Sequence, residues 1–378
     1  MGLQRTAGVF LLLATLSASI AQAELVLTQD EIQQILAHGP WPIDQHKDPS
    51  NRVSGNSDAI ALGKHLFGDR ILSRDGTLSC TTCHRPDRDF SEYRPRSLGR
   101  KLLDRNTPAL LNLSAHRWFG WGGSSDNLWG QTILPIVNPD EMAHDSESLK
   151  SAILKSQYAS SYEQIFGSLQ HQPSQTVLVN IAKTLAAYQE TLTTGKTSFD
   201  RFRDSLARGD MKGASSYPGA AQRGLQIFIG KGRCSFCHSG ANFTNGEFHD
   251  AAVPYFLGPG RVDAGRHAGL KTLLQSPYTL DGVYNDDPLK TGAWAVRTVK
   301  TTHADFGIFR VPSLRGVAHT SPYMHDGSLP DLKAVVEHYN TINTERLHAD
   351  GEQILRPLKL SGREKDDLIA FLESLSDH

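Results

Sequence analysis

All four cysteines of this 378-residue chain sit in two copies of one pattern, Cys80-Thr81-Thr82-Cys83-His84 and Cys234-Ser235-Phe236-Cys237-His238. The C-x-x-C-H spacing suits covalent haem attachment: each thiol adds across a vinyl group, and the histidine that follows becomes the proximal iron ligand. The sequence therefore predicts two haems c, attached through Cys80, Cys83, Cys234 and Cys237, with His84 and His238 on the irons. A lone C-x-x-C also serves redox and zinc sites, but a histidine after both copies and no cysteine left over favour haem. The sixth ligand then decides the chemistry, because two strong protein ligands suit electron transfer whereas an open face admits peroxide or oxygen. Methionine is the usual sixth ligand of electron-transferring haems c, and past residue 23 the chain has only Met142, Met211 and Met324.

The elements that must position these groups look duplicated. Residues 59–68 and 221–230 each show helical apolar spacing just ahead of a motif, which suggests two cytochrome-like units in tandem. Residues 208–219 are rich in Gly, Ser and Pro and make the expected linker. Val177, Ile181, Leu185 and Tyr188 trace one face of a helix, and Ser361-x-x-Glu364 is a capping box ahead of Leu368, Phe371, Leu372 and Leu375. Between His249 and Asp305 periodicity gives way to Gly, Pro and Asp, so a long ordered loop is expected there. The predicted fold is mostly α, with two tandem cytochrome c-like domains at 24–212 and 213–378.

The chain opens with Arg5, an apolar run over 7–20 and Ala21-Gln22-Ala23, the pattern of a signal peptide spanning 1–23. The mature protein is expected in the periplasm with no membrane span. Thirty-nine basic and 40 acidic side chains give a formal net charge of −1, which argues against nucleic acid or an anionic membrane as the main partner.

Several segments go further: 104–112 (Asp-Arg-Asn-Thr-Pro-Ala-Leu-Leu-Asn), Gly120-Trp121-Gly122-Gly123, 135–142 (Pro-Ile-Val-Asn-Pro-Asp-Glu-Met), and 309–316 leading into Pro322-Tyr323-Met324-His325-Asp326-Gly327. With two C-x-x-C-H motifs in this order, the chain from residue 57 onward resembles the bacterial di-haem cytochrome c peroxidases of the MauG superfamily. The resemblance implies a peroxidatic N-terminal haem, a second haem for electron transfer, hydrogen peroxide as oxidant, and a redox partner or substrate protein. It assigns Glu141 as distal acid/base group, with Gln131 and Pro135 in the same pocket and Trp121 between the haems. It also places a Ca2+ at Asn106, Thr320 and Pro322, where oxygen ligands suit a hard cation. Outside that family context, Glu141 reads as a solvated loop carboxylate and Trp121 as a packing residue.

Two departures set the chain apart from ordinary di-haem peroxidases. Those enzymes carry a histidine that closes the peroxidatic haem at rest, and the matching stretch here, Arg96-Ser97-Leu98-Gly99-Arg100, has none; His116 lies further on as a substitute. Tyr339 stands where they carry the axial methionine, as in MauG-type members. Ser328 as N-cap and Pro330 in the first turn would start a helix whose Leu332, Val335, Val336 and Tyr339 share a face. Met324 is the rival ligand. These departures favour a MauG-type enzyme that oxidises a partner protein, over a cytochrome c peroxidase that detoxifies peroxide with electrons from a small cytochrome or cupredoxin, or a non-catalytic carrier. The surface tryptophan that MauG has two residues before its second motif is Gly232 here, leaving Trp294, Trp129 and Tyr323 as candidate exits for oxidising equivalents.

Overall fold

The computed structural model describes residues 27–43, 47–254, 256–343, 350–351 and 354–376; the expected signal peptide lies outside them. Among the described residues the chain forms fourteen α-helices and two short two-stranded antiparallel ribbons, so the mostly α expectation holds. None of these helices is long and apolar enough to cross a membrane.

The duplication is a matter of packing as well as sequence. The helix Ser57–Gly68, capped by Asn56 accepting from the Ala59 N–H, buries Ala59, Leu62, Leu66 and Phe67 at helical spacing. It crosses the helix Ser174–Gln189 at Gly63, where any Cβ would collide with the Thr184 carbonyl oxygen. The helix Gly219–Ile229 buries Ala221, Leu225 and Phe228 and crosses the helix Gly362–Glu373 at Gly224, where a Cβ would collide with the Asp367 carbonyl oxygen. In both halves a glycine lets two backbones touch, and the helix so anchored precedes the haem motif. The Ser361–Glu364 capping box forms as predicted.

Two apolar cores result, one from Leu62 to Ala186 and one gathering Phe199 to Leu375 together with Ile35. The division of the core does not follow the expected chain division at 212/213. The helix Ser198–Ala207 packs into the second core, and Arg315 and Asp200, both fully buried, pair there through two 2.9 Å contacts. The expected linker is also ordered: Asp210 caps a short helix, Met211–Ala214, and Tyr217 is buried and stacked on Phe202 at 4.5 Å.

Nor is 249–305 merely a loop. It holds the helices Arg266–Gln275 and Trp294–Thr298, and Leu270, Leu273, Ala295 and Val296 form a third apolar cluster with Trp118 and Phe248. The first of these helices docks through Gly269, which lies against the Gly122 carbonyl too closely for a side chain.

Candidate functional site

Each C-x-x-C-H motif folds as a single tight turn. Cys80–Cys83 is one turn of helix and Cys234–Phe236 one turn of 3₁₀ helix, and each histidine N–H closes on the carbonyl of its first cysteine, at 2.8 Å for His84 and 2.9 Å for His238. Positions i, i+3 and i+4 of such a turn face one side, so both sulfurs and the imidazole are presented together. Neither pair is a disulfide. The Nδ1 of His84 donates to the Phe90 carbonyl at 3.0 Å, and that of His238 to the Phe243 carbonyl at 3.1 Å. This fixes the tautomer that leaves Nε2 as the ligating atom. Burial lowers both imidazoles to about 4, against weaker support from the backbones of Pro108 and Pro312, so both rings are neutral near pH 7.

The surroundings then diverge. Beside the first motif, the chain leaves the helix Leu128–Val137 and folds back on it: Met142 N–H donates to the Pro135 carbonyl at 3.1 Å, and Glu141 N–H to the Asn138 carbonyl at 3.0 Å. This turn places the Glu141 carboxyl near Cys80 and Cys83, whose thiols are raised to about 12 by burial with a contribution from that carboxylate. Burial also raises the Glu141 carboxyl, opposed by Asn138 Nδ2 donating to its Oε2 at 2.7 Å. Gln131 Oε1 accepts from Ser124 at 3.3 Å and lies against Gly120, a turn residue with φ of +73°. The stretch 96–100 is tied to the same turn. Arg100 N–H donates to the Asp140 carbonyl at 2.7 Å, and Gly99 sits on the Asp140 and Glu141 backbone.

Beside the second motif is a cavity of about 450 Å³, shared by Cys234, Cys237, His238, Met324 and Tyr339. Burial raises the Tyr339 phenol above its ordinary range, and the nearby Cys234 and Cys237 sulfurs push the same way. Its helix is Leu332–Asn340, but the N-cap is Asp331, accepting from Ala334 N–H at 2.7 Å, and not Ser328. Ser328 instead donates its N–H to Asp326, in an Asx turn that ends before the helix begins. Met324 has a φ of +74° and lines the same cavity.

Trp121 lines the cavity of the second motif. Its indole N–H donates to the Asn106 carbonyl at 2.9 Å, and its own carbonyl accepts from Arg310 N–H at 2.8 Å. Asn106 is buried, with Nδ2 donating to the Arg94 and Pro95 carbonyls at 3.1 Å each. Thr320 and Pro322 line the same cavity as Asn106. Among the described residues no cluster of three His, Cys, Asp or Glu forms a metal site, so a cation here would rely on amide and carbonyl oxygens. His116, the candidate substitute ligand, has its Nδ1 engaged by a partner from far along the chain. It borders the second cavity, and its Nδ1 accepts from the buried Arg310 guanidinium at 2.9 Å.

A profile described as di-haem cytochrome c peroxidase matches residues 57–208. Methylamine utilization protein MauG of Methylorubrum extorquens is 36% identical over 322 residues, 84% of this chain and 78% of that one. The chain belongs to the di-haem cytochrome c peroxidase family. Cytochrome c551 peroxidase of Nitrosomonas europaea is 28% identical over 99% of this chain and 92% of its own. The diheme peroxidase BthA of Burkholderia thailandensis superposes with a TM-score of 0.69 at 22% identity, covering 87% of this chain and 88% of BthA, a likeness of fold.

Membership of the di-haem peroxidase family implies two haems c and makes the chain an oxidoreductase that acts with peroxide. The residues present fit such groups: two turns of matched geometry, two neutral imidazoles with Nδ1 committed elsewhere, and a largely apolar cavity at the second turn. Sequence reasoning missed Asn138, the Phe90 and Phe243 carbonyls that orient the histidines, and the Arg310–His116 pair. Only the carbonyls had a usable signal, a phenylalanine five or six residues after each histidine.

Proposed function

We propose that this protein is a periplasmic, MauG-type di-haem peroxidase, which accepts hydrogen peroxide at the N-terminal haem while fully ferric and draws electrons from a partner protein by way of the second. The carrying observation is the contrast beside the two motifs: a buried carboxyl at the first and a buried phenol at the second. The irons supply the two-electron reduction of peroxide. Glu141 binds and relays the proton. Asn138 occupies its Oε2, so Oε1 takes a proton from the near peroxide oxygen and returns it to the far one. Burial raises that carboxyl, which makes it a stronger base for the proton it takes up.

Gln131 and Pro135 shape the pocket, and Trp121, clamped between Asn106 and Arg310, relays electrons between the halves. Tyr339 would hold the second iron; an anionic oxygen donor favours higher oxidation states, whereas the rival Met324 would favour the ferrous state. Ca2+ at Asn106, Thr320 and Pro322 would brace the loop that holds Trp121. Residues 1–23 would be the export signal, and the second haem domain would begin ahead of the helix Ser198–Ala207, which packs into the second core.

Tyr339→Phe tests the assignment. The ferric protein should show one high-spin and one low-spin haem by electron paramagnetic resonance, and the variant should lose the low-spin signal. An unaltered low-spin signal that Met324→Leu abolishes would return the enzyme to the ordinary cytochrome c peroxidases.

A further inference from the structure

The Gly-rich segment at Trp121 is connected to the protein surface by side chains from four stretches of chain. Arg266 is buried and donates from Nη1 to the carbonyls of Gly122 and Gly123, at 3.3 and 2.9 Å, directly after Trp121. Its guanidinium lies 4.4 Å from the ring centroid of buried Trp118 and 3.9 Å from that of Phe248. On the other side, the Arg117 guanidinium lies 5.2 Å from the Trp118 ring and 4.5 Å from the Trp294 ring. Trp294 is 61% exposed. These groups line a surface groove that also contains His249, and His249 lines the cavity of the second motif as well.

We propose that Trp294 is the surface port of this peroxidase, where oxidising equivalents arriving from Trp121 by way of Trp118 meet a one-electron donor protein. The proposal rests on the peroxidase reading above. The other exits are less suited. Trp129 is fully buried with its indole N–H on Ser50, Tyr323 commits its hydroxyl to the Val317 carbonyl, and at Gly232 a Cβ would come 2.8 Å from the Ile227 carbonyl oxygen.

Electrostatics gives the relay a direction. A cation over a ring face attracts the neutral indole and disfavours its positively charged, oxidised form. Trp118 faces two guanidinium groups in a buried setting. Trp294 faces one and is open to water, which screens that charge and accepts the indole proton. Trp118 is therefore a transit point and Trp294 a resting place. Each hydrogen peroxide takes up two electrons and two protons to give two waters; each electron leaves the Trp294 indole while its N–H proton passes to solvent, and the ring is restored by one electron from a donor molecule and one proton from solvent. Two donors are oxidised per peroxide.

The test is peroxide added to the ferric holoenzyme without any partner, in the presence of a nitroso spin trap, followed by peptide mass spectrometry normalised to the fraction of haem that has reacted. The principal adduct should map to Trp294. Trp118→Phe should lose most of it, and the surface variant Trp294→Phe should abolish it without an equal adduct appearing elsewhere. Reacted haem with the adduct on Tyr93 or another exposed aromatic, or an adduct at Trp294 indifferent to Trp118→Phe, overturns the port alone. Haem that does not react and yields no adduct overturns the peroxidase reading, and the port with it.

Discussion

The two haem motifs share a proximal side and differ on the distal one. In both, a glycine-anchored helix delivers a one-turn C-x-x-C-H segment whose histidine gives its Nδ1 proton to a phenylalanine carbonyl. Across from that common frame stand a buried carboxyl, Glu141, and a phenol, Tyr339. The attachment machinery has been kept twice, and in the proposed function the division of labour lies in what stands beside it. A phenol raised by burial is a weak proton donor until a metal ionises it; a carboxyl raised by burial is a stronger base than one in water.

The comparison breaks most sharply at Glu141. Glu141→Gln should slow peroxide activation by about 10²–10⁴-fold, the usual worth of a positioned acid/base group, with both haems retained; unchanged stopped-flow kinetics would remove the residue from the mechanism. The shared frame is tested next. Gly63→Ala and Gly224→Ala each force a methyl group against a carbonyl oxygen, and each should destabilise its own half by roughly 1–3 kcal/mol, read as a lower melting temperature. If one is neutral, the halves are alike in sequence pattern only. The smallest effect is expected at Asn138. Its amide stabilises the charged form of Glu141, so Asn138→Leu should raise that carboxyl further and move the acidic limb of the peroxide reaction to higher pH. A shift to lower pH would contradict the role given to this hydrogen bond.

The sequence reveals what local spacing encodes. The haem turns, the helices that precede them and the Ser361–Glu364 capping box all sit within a few residues of their own signals. Tyr339 beside the second motif was also legible, although its helix starts at Asp331, because Asp326 captures Ser328 first. What was illegible depends on distant partners. The helix Arg266–Gln275 carries a buried arginine that is tolerable only because Trp118 and Phe248 sandwich it and two glycine carbonyls accept its protons. Ile35 joins the second core from the far end of the chain, and His116 is claimed by Arg310 from 194 positions away. No window of sequence holds both halves of such contacts.

The central claim is that the first haem is open and served by Glu141 while the second is closed. Rapid mixing of the fully ferric protein with stoichiometric hydrogen peroxide tests it most directly. The account predicts an immediate optical change without prior reduction, and a much slower one in Glu141→Gln. A ferric protein that stays inert to peroxide until one haem is reduced would contradict it.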